Sequence, residues 1–290
     1  MKFWAGVSFT DPTHLIRMAR KAEELGFEGV FMGDHLFFPE PLATRYPYTQ
    51  NGLPPWDAAT PFPDAWCAIS AMAAVTERLR FTVAIYVLPA RSPIGVAKAC
   101  ATASVLSGGR VALGAGAGWM KEEFDVAGVD FLRRGSRLEE SIEVLRKLWS
   151  GGVVEHHGVH FDFPRLSMSP APRAPIPIYL GGGNARALRR AATLGDGWIG
   201  LGNQPGEAEE ILDELARLRR ETGRGDEPFE CIVPILSSPA PHVYARLAEK
   251  GMTAGVAWPA SLALGIERPS LEQELSYLEK FSDDMIRKLG

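Results

Sequence analysis

The stretch RFTVAIYVLPARSPIGVAKACATASVLSGGRVALGAGAGW, residues 80–119, contains one whole unit of the architecture. Residues 80–87 read as a strand. Ser92-Pro93 then opens a helix, with serine at the cap and proline at the first helical position. Ile94, Ala97, Ala101 and Val105 share one face of that helix, and Gly108-Gly109 ends it. Residues 110–115 return as a second strand. A strand, a crossover helix and another strand make parallel neighbours covered by a helix.

The same alternation continues in both directions. Upstream, residues 3–8 form a strand. Asp11-Pro12 starts a helix carrying Leu15, Met18, Ala19, Ala22 and Leu25, and Gly26 stops it. Residues 29–33 are the next strand. A loop rich in Pro, Tyr and Trp follows at 34–63, before a helix from Asp64 with Ile69, Met72 and Ala73 inward. Downstream, Ser136-x-x-Glu139 is read as a capping box, ahead of Ile142, Leu145, Leu148 and Trp149. Residues 153–163 resemble an inserted hairpin. Further strands are expected at 176–180, 197–201, 229–236 and 254–258. Helices are expected from Asn184, over 205–222, from Pro239, and from a Ser270-x-x-Gln273 box. Eight strands with alternating helices predict an α/β fold, a single (β/α)8 TIM barrel with loop insertions, spanning residues 1–290 as one domain. Pro177 and Pro234 argue against two of these strand assignments, because each lacks a backbone donor.

Hydrophobic residues make up 46% of the 290 and charged residues 23%, enough for a large buried core. The net charge of −4, with no basic block, speaks against nucleic acid or an anionic membrane surface as partner. No apolar run reaches the ~18 residues a membrane helix needs, and the first residues are too short and interrupted for a secretory signal. Cys67, Cys100 and Cys231 lie far apart, which fits a reducing compartment; the chain is expected in the cytoplasm, without a structural metal.

Three motifs fall where a barrel places its chemistry, just after strands. Gly33-Asp34-His35 ends the second strand, and a histidine there can exchange a proton near neutral pH. Gly114-Ala115-Gly116-Ala117-Gly118-Trp119 follows the fourth. It is not a dinucleotide fingerprint, since Trp119 stands where the last glycine would be. Gly181-Gly182-Gly183-Asn184 leads into a helix N-terminus, a natural phosphate cradle that reads equally as a tight turn.

Taken in order with the third strand, these motifs resemble the bacterial luciferase-like monooxygenase superfamily, and most closely its coenzyme F420-dependent branch. Further matching stretches are Leu106-Ser107-Gly108-Gly109-Arg110, Glu123-Phe124, Pro175-Ile176-Pro177-Ile178 and Gly195-Asp196-Gly197-Trp198. The resemblance runs from the first strand to about Leu201. It implies the same barrel, with a deazaflavin across its mouth and a non-prolyl cis peptide at Ala84-Ile85 behind the ring. It implies His35 as general acid/base, with Asp34 orienting the ring or the imidazole. It places the cofactor's phosphate end near Gly114, Gly116, Gly118 and Trp119, and at Gly181, Gly182, Gly183 and Asn184, with Arg186 or Arg91 as partners for an acidic tail. The loop at 34–63, with Tyr46, Tyr48 and Trp56, would wall the substrate. Glu122 or Glu123 could reach the pocket, although an acidic first helical turn accounts for both. A small-molecule substrate and a homodimer are likewise implied. The alternatives are an FMN-dependent monooxygenase of the same superfamily, a non-catalytic flavin or deazaflavin binder, and a metal hydrolase using His156, His157, His160 and Asp162. That last cluster is better explained as a surface hairpin.

Overall fold

The computed structural model describes residues 1–289. The first half runs β1 (Lys2–Gly6), α1 (Leu15–Glu24), β2 (Gly29–Met32), α2 (Ala65–Ala73), β3 (Arg80–Val83), β4 (Tyr86–Val87), α3 (Pro93–Ser107), β5 (Leu113–Gly116), α4 (Lys121–Val126) and α5 (Arg134–Trp149). The second half runs β6 (Val153–His157), β7 (Asp162–Ser167), β8 (Ile178–Gly181), α6 (Ala185–Leu194), β9 (Gly197–Ile199), α7 (Pro205–Glu221), β10 (Glu230–Val233), α8 (Pro241–Glu249), β11 (Ala254–Ala257), α9 (Ala260–Leu264), α10 (Leu271–Phe281) and α11 (Arg287–Leu289).

The main sheet has the order β3-β2-β1-β11-β10-β9-β8-β5-β4, with every pair parallel. β3 and β4 are two halves of one strand, parted by the cis peptide Ala84-Ile85. The first half pairs with β2 and the second with β5, and a parallel bridge from Phe81 to Val111 closes the ring. The result is the eight-stranded barrel read from the alternation. Both awkward prolines sit just outside their strands. Pro177 precedes β8 and Pro234 follows β10, and each offers only its carbonyl, to Leu113 N (2.8 Å) and Asn203 N (3.0 Å). No ladder donor is lost.

Two cores flank the barrel wall. Inside it, Trp4, Ala112, Tyr179, Ile199, Ile232, Ala254 and Val256 pack together, with Phe31, Ala84 and Ile85 partly buried against them. Between wall and helices lies the larger core, with fully buried members such as Phe3, Met18, Ile69, Met72 and Phe81. Each such side chain contributes about 1.5–3 kcal/mol relative to exposure. The end of the barrel where strands begin is closed by charge. Arg80 donates to Glu28 (3.0 Å), Glu230 (2.8 Å) and the Tyr179 hydroxyl (2.6 Å), with its guanidinium 5.5 Å from the Trp4 ring centroid.

Capping agrees with the sequence at Asn184, which accepts from Ala187 N (3.0 Å), and at the Ser270/Gln273 box. It differs at Ser136. A 3-10 turn over Phe131–Arg133 leads directly into α5, so Ser136 lies inside the first turn and its hydroxyl donates to Arg133 O (3.0 Å). The box does not form. The expected hairpin is present as the antiparallel β6–β7 pair. Its histidines point to separate partners: His156 to Glu140, His157 to Asp162, His160 to Ser136. Among the described residues no three His, Cys, Asp or Glu side chains converge to hold a metal ion, and no helix is long and apolar enough to cross a membrane.

Candidate functional site

The strands end together at the open mouth, and His35 stands there three residues beyond β2. Its Nδ1 lies 3.2 Å from Glu123 Oε1, which also accepts from Leu36 N at 2.8 Å. Glu123 comes from α4, in the loop after β5, and its side chain is 1% exposed. Its second oxygen, Oε2, is buried without a hydrogen-bond partner. A buried carboxylate with an unfilled acceptor is uncommon and has a reason outside simple stability. With Nδ1 turned to Glu123, Nε2 is the imidazole nitrogen left for a ligand.

Asp34, which the resemblance sets with His35 beside the reactive ring, is held by partners of its own. Its oxygens take Arg91 in a bidentate pair (2.7 and 2.9 Å) and Val87 N (3.0 Å). Burial outweighs the opposing pull of Arg91 and the Val87 N–H and leaves its carboxyl raised to about 6. Asp34 therefore holds the second half of the broken strand, and the imidazole's partner is Glu123. Arg91, stacked 4.3 Å from the Tyr86 ring centroid, is occupied by this pair and is not free for an acidic tail.

The glycines have two separate explanations. A Cβ at Gly114 would meet Val83 O at 1.9 Å, and one at Gly116 or Gly181 would meet Ile85 at 2.7 or 2.0 Å. These three make room for the break at Ala84-Ile85. Gly118, at φ +81, likewise lies against Val87 and Phe124. The glycines at 114, 116 and 118 are thus each packed tightly on the side a Cβ would occupy. Gly183 is the contrast: no atom comes within 4 Å of its notional Cβ, and Gly182 has φ +114, which favours glycine. Trp198 Nε1 donates to Gly182 O (2.9 Å) from below, so this turn into α6 is held while its outer side stays open.

Aromatic side chains surround His35. Trp56 and Phe62 of the long loop have ring centroids 5.3 and 5.2 Å from it, and Trp119 is at 5.8 Å. Tyr46 bridges Trp56 and Trp119, and Phe9, with φ +64, stacks on Trp56. Trp119 therefore borders the imidazole. A cavity of about 140 Å³ opens among His35, Phe37, Phe38, Trp56, Asp57 and Phe62. Glu122, the neighbour of Glu123, accepts from Ala43 N and Thr44 N (both 2.8 Å) and from Thr44 Oγ1 (2.7 Å), pinning the same loop further along. A larger hollow of about 220 Å³ lies apart from His35, between α5 and the hairpin tip.

The sequence offered Glu123 as able to reach the pocket but not as the partner of His35, because the two lie 88 positions apart and an acidic helix start explained it locally. The site defines a class: a barrel with a histidine–glutamate pair at its mouth, an apolar floor and an open helix N-terminus. Residues 4–251 match the family model described as luciferase-like monooxygenase, and the chain belongs to that family. An uncharacterized protein of Mycobacterium tuberculosis is 36% identical over 290 residues, 100% of both chains. The F420-dependent glucose-6-phosphate dehydrogenase of Amycolatopsis mediterranei is 28% identical over 280 residues, 94% of this chain and 78% of that one. Among solved structures, monooxygenase RslO1 from Streptomyces bottropensis gives a TM-score of 0.78 at 17% identity over 100% of each chain. An F420-dependent secondary alcohol dehydrogenase in complex with an F420-acetone adduct gives 0.77, also at 17% identity and 100% coverage of each. At such identity these structures speak for the fold.

Proposed function

We propose that the chain is a coenzyme F420-dependent oxidoreductase, moving a hydride between the deazaflavin and a small organic substrate. The observation that carries this is the His35–Glu123 pair beside an apolar floor at the barrel mouth. The residues present fit the cofactor. Phe31, Ala84 and Ile85 offer a face for a planar ring, and the open turn at Gly182, Gly183 and Asn184 presents the α6 N-terminus to a phosphate. When bound, the deazaflavin supplies the carbon that gives or takes the hydride.

The chain's own residues do the rest. His35 Nε2 takes the substrate's hydroxyl proton on oxidation and returns it on reduction. Glu123 fixes the ring's orientation through Nδ1. Trp56, Phe62 and Trp119 exclude water around that transfer. The F420-dependent relative at 28% identity supports the choice of cofactor.

Titrating the protein with F420 and with FMN, followed by tryptophan fluorescence, tests the reading. F420 binding on the order of micromolar with negligible FMN binding is expected. His35→Asn should keep that affinity and lower turnover by about 10²–10⁴-fold. Preference for FMN would replace this reading by an oxygen-using flavin monooxygenase. Unchanged turnover in His35→Asn would remove the acid/base role.

A further inference from the structure

We infer that the cavity beside His35 takes an uncharged, ring-sized organic molecule, such as a cyclic alcohol or ketone, and not a phosphorylated sugar. This rests on the F420 reading for what happens to the molecule, while its binding rests on the cavity alone.

Size comes first. The recess is half open with a mixed polar and apolar lining and holds about 140 Å³, close to the ~150 Å³ that accommodates one benzene molecule. The walls agree with a carbon ring. Phe37, Phe38, Trp56 and Phe62 line it, and the Trp56 and Phe62 rings stand within 5.3 Å of the His35 ring centroid. Water confined among such faces is readily displaced by an apolar group.

Charge decides the rest. No lysine or arginine lines the cavity; its one ordinarily charged member is the acid Asp57. The Thr60 hydroxyl above all, helped by the Ala59 and Thr60 N–H groups, outweighs burial and holds that carboxyl below its usual range. It is therefore anionic at neutral pH. Arg268 is the nearby cation, and its field already acts on Asp57. A phosphate ester placed here would face a carboxylate with no cation of its own. An uncharged ring meets no such opposition, and its oxygen has the His35 imidazole within the same walls.

Isothermal titration calorimetry with cyclohexanol, cyclohexanone and glucose 6-phosphate tests this without turnover. Both ring compounds should bind and glucose 6-phosphate should give no heat. Ala58→Phe, which fills the cavity from its rim, should weaken ring binding by about tenfold or more. Trp56→Ala, which removes a wall, should do the same should the first variant fail to fold. Asp57→Asn should leave ring binding within about twofold and create no sugar phosphate binding. Glucose 6-phosphate binding as tightly as cyclohexanol would overturn the inference, as would ring binding indifferent to both cavity variants. Ring binding intact in a protein that ignores F420 would sink the cofactor reading and leave this one standing.

Discussion

Glu123 and Glu140 use the same device in two places and to different ends. Each is a glutamate on a helix that reaches over to the backbone of a neighbouring loop. Glu140 of α5 is saturated: Val159, His160 and Phe161 N–H groups and the His156 ring all reach its two oxygens. Glu123 of α4 is more deeply buried, yet only Oε1 is engaged, by Leu36 N and His35. The filled carboxylate holds a hairpin on the barrel's outer wall. The unfilled one has capacity in reserve beside a proton-handling ring. The difference teaches that satisfaction of the acceptor, more than its burial, separates a structural clamp from part of a site.

The comparison breaks most sharply at the clamp. Glu140→Ala leaves several backbone donors without their acceptor and should cost about 2–3 kcal/mol in chemical denaturation, with turnover preserved. Burial opposes the Glu140 charge, but the Phe161 and His160 N–H groups and His156 outweigh it and hold the carboxyl below 4.5. A lowered folded value means this stability is present above pH 4.5 and is lost as the pH falls below it. Glu140→Gln should flatten that dependence, and equal proteolysis of residues 153–167 in wild type and Glu140→Ala at neutral pH would contradict the clamp. Glu123→Gln should do the reverse. Turnover should fall about tenfold, while unfolding changes by less than about 1 kcal/mol, since no bond is lost at Oε2. A stability loss matching that of Glu140→Ala, with full turnover, would make the two carboxylates alike. Glu122→Ala should have the smallest effect. Amide exchange at Ala43 and Thr44 should quicken by roughly 1 kcal/mol of local protection, with global stability unmoved.

The barrel was legible because each strand and helix carries its own local signature. Gly108, in the left-handed conformation, ends α3 where the glycine pair indicated, and Asn184 caps α6 through its own side chain. Boundaries slipped where a competing turn intervened, as at Ser136. The site was legible only in part. Asp34 and His35 stand at a strand end, so their position follows from the alternation. Their partners do not: Arg91 lies 57 residues from Asp34, and Glu123 lies 88 from His35. The glycines at 114, 116 and 181 show the same limit. Their spacing invites a ligand, while their actual neighbours are Val83 and Ile85, whose inward placement depends on the break between β3 and β4.

The charged plug at the other end of the barrel has a kinetic consequence. Arg80, Glu28, Glu230 and Tyr179 close the lower opening over Trp4, so nothing passes through the axis. Two reactants must then share one entrance. A cofactor held over Phe31, Ala84 and Ile85, as proposed above, would enter by the same mouth as a molecule held beside His35 and Trp56. Such a shared entrance would make the order of addition compulsory, with the cofactor first in and last out.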